Sequence, residues 1–217
     1  MTTPSKPNVL PKIGWSIMFL LAAFITLIAS RYFALSPEDF FPQQKAVYMA
    51  NTAGLLLHIT GAMLALFLGP FQFIAKLRSG RLLPIHRWTG RIYLIGVLCG
   101  GIGGLYMSTI AYGGWFARLG FASLAVSWLF SGWMAYRAIC NKQIEIHRQW
   151  MIRNYALSFA GVTLRLWLML FQAAGLDFTL SYITMAWISW LPNLMVVEWA
   201  FNRIRAAVPV RRLPATD

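Results

Sequence analysis

The sequence predicts an all-α, polytopic integral membrane protein, a six-transmembrane-helix bundle forming a single membrane domain over residues 1–217. Three observations carry that prediction. Hydrophobic residues make up 59% of the 217 positions and charged residues only 12%, whereas an ordinary soluble domain is about a quarter charged. Mean hydropathy is +0.60. The apolar residues also gather into six segments near the ~20 residues that cross a hydrocarbon layer, with no linker between them long enough for a second domain.

The first segment covers about 13–33. It follows Lys12, as the core of a secretory signal follows its basic residues, but it exceeds a signal core and no small-x-small cleavage site follows it, so it reads as a true span. The second covers 48–75 and the third 88–110, through LIGVLCGGIGGLYM. After the Gly113-Gly114 turn come a fourth at 115–139, a fifth at 151–172 and a sixth at 180–201, the last expected to kink at Pro192-Asn193 and free a carbonyl. Each must be helical, because lipid offers an unpaired backbone group no partner. Short connections make consecutive helices antiparallel neighbours.

Cations give the orientation. Lys6, Lys12, Lys76, Arg78, Arg81, Arg87, Arg91, Arg137, Lys142, Arg148, Arg153, Arg203, Arg205, Arg211 and Arg212 fall on one side, and Arg31, Lys45 and Arg118 on the other. Positive loops stay cytoplasmic, so both termini are expected inside, in a bacterial inner membrane. The net charge of +13 is read as topology plus attraction to anionic lipids, not as a nucleic-acid surface. Cys99 and Cys140 are too far apart in depth to bridge and read as packing residues.

Helix faces then sort the polar residues. Asn51, Gly54, His58, Gly61, Ala65, Gly69 and Gln72 recur at steps of three or four, as do His147, Asn154, Ser158, Gly161, Arg165 and Gln172. Such stripes face other helices, where small residues permit close approach. His58 and Arg165 fall at similar depth in the outer third. An arginine there costs about 2.5–3.5 kcal/mol on insertion scales and commonly lines a ligand site. An anionic small molecule or lipid held by His58, Arg165, Gln172 and Asn51 is one functional expectation; a snorkelling Arg165 that merely pins its helix is the bland one.

The chain has only three histidines, and two of them open near-copies of one phrase: HRWTGRIY from His86 and HRQWMIRNY from His147, sixty-one residues apart. Both phrases start spans that run in the same direction, so both rings belong to one depth. Three readings follow. The imidazoles are axial ligands of a b-type haem (haem b) whose propionates are held by Arg87, Arg148, Arg91 or Arg153; or His86 and His147, with Glu145, bind a divalent metal; or His, Arg, Trp and Tyr together form an interfacial helix start. Phosphate-binding glycine loops, nucleophile elbows and HExxH are absent from the sequence.

The segments HITGAMLALFLGPFQF, LPIHRWTGRIYLIGV and IHRQWMIRNYALSFAGVTLRLW resemble a family of bacterial integral membrane proteins catalogued as domain of unknown function 2306. The resemblance spans about residues 48–170 and includes His58, Gly69, Pro70, His86, Arg87, Gly90, Arg91, His147, Arg148, Trp150, Met151 and Arg165. It implies membership without an activity. More distantly, the chain is similar to six-helix cytochromes of the b561 and ferric-reductase kind, in which histidines of the second and fourth helices, and of the third and fifth, hold two haems. His86 and His147 match the third and fifth positions; helix four has no histidine to match His58. That likeness implies one bis-histidine haem, a membrane oxidoreductase, and quinone or a partner membrane subunit exchanging electrons near His58 and Arg165.

Overall fold

The computed structural model describes residues 10–207; Lys6, Arg211 and Arg212, which enter the charge count, lie outside the described residues. Helix α1 (Leu10–Ala29) ends in the 3-10 turns Ser30–Ala34 and Pro37–Asp39, followed by α2 (Pro42–Ala50), α3 (Thr52–Gln72), α4 (Leu83–Thr109), α5 (Gly114–Cys140), α6 (Ile144–Ser158), α7 (Ala160–Ala173), α8 (Phe178–Ile188) and α9 (Leu191–Ala207). Among the described residues six helical spans are long and apolar enough to cross a membrane: Lys12–Ala34, Thr52–Gln72, Gly80–Thr109, Gly114–Cys140, Ile144–Ala173 and Phe178–Arg203. The fold is therefore the all-α, multi-pass bundle the composition predicts. Leu20, Phe24, Ile95, Met169 and Met195 on its outer surface contact the bilayer.

Helices α3, α4, α5 and α6 close a four-membered ring, each packed on the next. α1 leans on α3 and α7, α8 on α5 and α7, and α9 on α6. The α3–α4 interface is the most extensive, and glycine makes it so. A Cβ on Gly61 would fall on the backbone nitrogen of Gly100 and the carbonyl of Gly96, and one on Gly103 would strike the backbone of His58. Glycine at these positions lets two helix backbones touch. Gly54 and Gly69 meet the rings of Tyr106 and Tyr155 in the same way.

Three departures from unbroken spans matter for the polar groups. The expected helix 48–75 divides at Asn51 (φ −126°), whose Nδ2 donates to the carbonyl of Val47 at 2.8 Å. That side-chain bond competes with the helix ladder, and α2 becomes a separate helix at the end of the bundle away from the basic loops. The fifth span divides at Phe159 and the sixth at Ser189-Trp190. The carbonyl of Ser189, freed by the second break, accepts from Thr163 Oγ1 and from Asn193 Nδ2, the latter at 3.1 Å. Asn193 also donates to the carbonyl of Ala156 at 3.2 Å. Helices α4 and α6 begin earlier than residues 88 and 151, α4 with Pro84 in its first turn, where a missing N–H costs nothing. His86 and His147 consequently sit inside the first turns of their helices.

Candidate functional site

At the centre of the ring the Tyr93 hydroxyl of α4 donates to Asn154 Oδ1 of α6 at 2.6 Å and lies 3.1 Å from Ser158 Oγ. Asn154 Nδ2 donates to the Trp128 carbonyl and to Ser131 Oγ, both at 2.8 Å, and Trp128 Nε1 donates to Ser158 Oγ at 2.8 Å. Tyr93 and Asn154 are fully enclosed. A polar network inside hydrocarbon persists because each member finds a partner.

This network fixes the register of the duplicated phrase. Tyr93 lies seven residues after His86, and Asn154 seven after His147. Seven residues are two helical turns, so each histidine shares a face with its bonded partner and sits ~10 Å nearer the basic end. The two imidazoles are electrostatic neighbours there. His147 Nδ1 donates to the carbonyl of Ala135 on α5 at 2.8 Å, which fixes the tautomer and leaves Nε2 as a base. His86 Nδ1 is buried without a hydrogen-bond partner.

The surrounding cations divide by environment. Arg153 forms a bidentate pair with Glu198, at 2.5 and 3.0 Å, and stacks over Trp150 and Phe201. It is thus a clasp between α6 and α9, not a free cation for a propionate. Arg87 is exposed beside the pair of rings. Arg148 makes only an exposed contact with Glu145 in its own helix, at 3.4 Å. Arg91 covers Trp88, and Arg203 covers Trp199, completing an aromatic and basic belt at this end.

A divalent metal at His86 and His147 calls for a third protein ligand. Among the described residues no three or more His, Cys, Asp or Glu converge on one point. Glu145, the expected third ligand, is taken by Arg148 and by Gln149 at 3.5 Å.

At the far end, His58 Nδ1 donates to the carbonyl of Gly100 at 2.8 Å. Arg165 Nη1 donates to the carbonyl of Gly161, one turn back in its own helix, at 2.7 Å. Among the described residues Arg165 joins no ion pair, and its electrostatic neighbours are His58, Tyr32, Tyr48 and Arg31. Two residues expected beside it do other work. Asn51 spends its amide on the helix break and on the Tyr106 hydroxyl, which donates to Oδ1 at 2.5 Å. Gln172 is exposed at the end of α7.

Residues that sequence reasoning missed occupy the intervening space. Gln44 and Tyr48, four apart on one face of α2, turn inward. Gln44 is only 3% exposed, and its Nε2 completes no well-formed hydrogen bond among the described residues. Burial pushes the Tyr48 phenol well above its usual pKa, with Tyr182 beside it adding to the effect, so this hydroxyl keeps its proton. The signal lay in PQQKAVYM, a polar and aromatic run with the helical four-residue spacing, masked by its place at the edge of an apolar segment.

Residues 55–201 match the family described as Predicted membrane protein (DUF2306). The chain belongs to this family of multi-pass membrane proteins. No curated protein and no solved structure matches it.

Proposed function

We propose that the protein is a membrane electron carrier in which His86 and His147 would hold a b-type haem. The observation that carries this reading is the Tyr93–Asn154 hydrogen bond, which brings the two copies of the phrase into register across the ring. The residues fit the group chemically. A porphyrin supplies four of six iron ligands, so two imidazoles suffice where a bare divalent ion lacks donors. The Ala135 carbonyl prepares His147 Nε2 as a base. The orphaned His86 nitrogen, whose burial alone costs about 1–3 kcal/mol, gains a reason to be there. Arg87 and Arg148 at the rim would hold the propionates. When bound, the haem supplies reversible one-electron chemistry; the protein's part is to fix both rings and exclude water with the Tyr93–Asn154 network.

The test is a reduced-minus-oxidised absorption spectrum of protein purified from haem-replete cells. A low-spin bis-imidazole spectrum is expected in the parent, lost in His86→Ala and in His147→Ala. A haem-free parent, or a spectrum unchanged in both variants, would overturn the reading.

A further inference from the structure

Among the described residues, α2 and the turn joining α4 to α5 enclose a cavity of about 340 Å³ at the end of the bundle away from the basic loops. That is the lower range of small-ligand pockets. Its polar wall consists of Gln43, Gln44 and Tyr48 from α2, Tyr112 before the turn, and Arg118 from the first turns of α5. The balance of donors and acceptors in this wall is uneven. Among the described residues Gln44 Nε2 is a buried donor that completes no well-formed hydrogen bond, with the Tyr182 hydroxyl as its polar neighbour. Tyr48 retains its proton because it is buried. Arg118 donates from Nε to the carbonyl of Ala111 at 3.2 Å and lines the cavity. Arg165, whose Nη1 donates to the carbonyl of Gly161, is an electrostatic neighbour of Tyr48.

Among the described residues no carboxylate lines the cavity, and Glu38, in the turn before α2, is exposed. Asp39 pairs with Arg31 at 3.7 Å, and Asp177 caps α8 by accepting from the backbone N–H of Leu180 at 2.9 Å. Tyr112 meets Thr179 at 2.9 Å. Among the described residues the Arg118 guanidinium and the buried Gln44 amide therefore line a space that no carboxylate lines, with Arg165 an electrostatic neighbour of Tyr48 in its wall. A ligand bearing oxygen acceptors and negative charge satisfies that wall; a cation does not.

We propose that this cavity is an oxyanion site, in which Arg118, Gln44 and Tyr48 hold a phosphate group and Arg165 contributes positive potential. The phosphate belongs either to an anionic lipid headgroup reaching in from the membrane surface or to a free ion from the aqueous side. The site is separate from the histidine pair and stands whether or not haem binds there. α2 is its lid, tethered by Asn51 to Tyr106 of α4.

The test uses the full chain in neutral maltoside detergent, measuring thermal stabilisation against inorganic phosphate and against phosphatidylglycerol in mixed micelles. Stabilisation by phosphate identifies a free-ion site, and stabilisation by phosphatidylglycerol alone a headgroup site. Arg118→Gln and Gln44→Leu should each weaken the apparent affinity about tenfold or more, while Arg81→Gln, an exposed cation at the other end, should leave it unchanged. Arg165→Gln is expected to weaken it less; should that variant not fold, the two wall variants decide. A parent stabilised by neither probe overturns the proposal. So does an affinity that falls equally in Arg81→Gln, which marks general attraction to a basic protein.

Discussion

Asn154 shows what a single side chain is worth in this interior. It joins three helices, accepting from Tyr93 and donating to the Trp128 carbonyl and to Ser131. Tyr93 is replaceable by comparison, because Ser158 keeps the Trp128 indole when the phenol goes. Tyr93→Phe should cost about 1 kcal/mol, in line with interhelical hydrogen bonds in membranes. Asn154→Leu should cost roughly 2–3 kcal/mol, since it strands several buried groups at once. Equilibrium unfolding in mixed micelles checks the order, and equal costs would mean that Asn154 is not the hub. The same network explains what the sequence made legible at this scale. His86 and His147 stand out as a repeat because the repeat is literal. Their bonded partners, Tyr93 and Asn154, do not, because tyrosine and asparagine resemble each other in hydrogen bonding and not in spelling. Asn51 misled for a related reason: spacing places a residue on a face, but only coordinates reveal that its amide is already consumed by its own helix.

At the scale of elements, the α3–α4 contact sets the strictest demand on sequence. Gly61→Ala would push a methyl group into the Gly96–Gly100 backbone, which has no side chain to move aside. Overpacking of that kind costs about 1–3 kcal/mol, and more when backbone must shift. Gly14→Ala in exposed α1 meets nothing within 4 Å, so it should be neutral or gain up to about 1 kcal/mol of helix propensity. Gly161→Ala, whose methyl would meet only Arg165 Nη1 at 3.8 Å, should fall near neutral too. Thermal unfolding of the three variants tests the ranking; a tolerated Gly61→Ala would remove close α3–α4 packing from the account. Apolar length and small-residue stripes were enough to foresee six spans and this seam. The breaks were less legible. Pro192-Asn193 signals the one near Ser189, but the break at Phe159 has no proline or glycine at its centre and arises from how the chain packs, a tertiary effect that local propensity does not encode.

The whole molecule is polarised, and the polarity decides where each site works. The histidine pair, the Arg153–Glu198 clasp and the Trp–Arg belt share the basic end. The phosphate-accepting wall lies at the other. Lys76, Arg78, Arg81, Arg137 and Lys142 flank the loops of the basic end, and the positive-inside rule predicts that this end faces the cytoplasm. Cys140 offers a direct check, being an exposed thiol at the close of α5, beside the loop that leads to His147. In a Cys99→Ser background, a membrane-impermeant maleimide should modify Cys140 in inside-out vesicles and spare it in intact spheroplasts. With both native cysteines replaced by serine, Leu176→Cys, at an exposed position between α7 and α8, should give the reverse pattern. An inverted result for both sites turns the bundle over and moves the histidine pair outside. Labelling of both sites from the same face contradicts a membrane crossing between them by Ile144–Ala173, and with it the co-directional histidine phrases on which the redox reading stands.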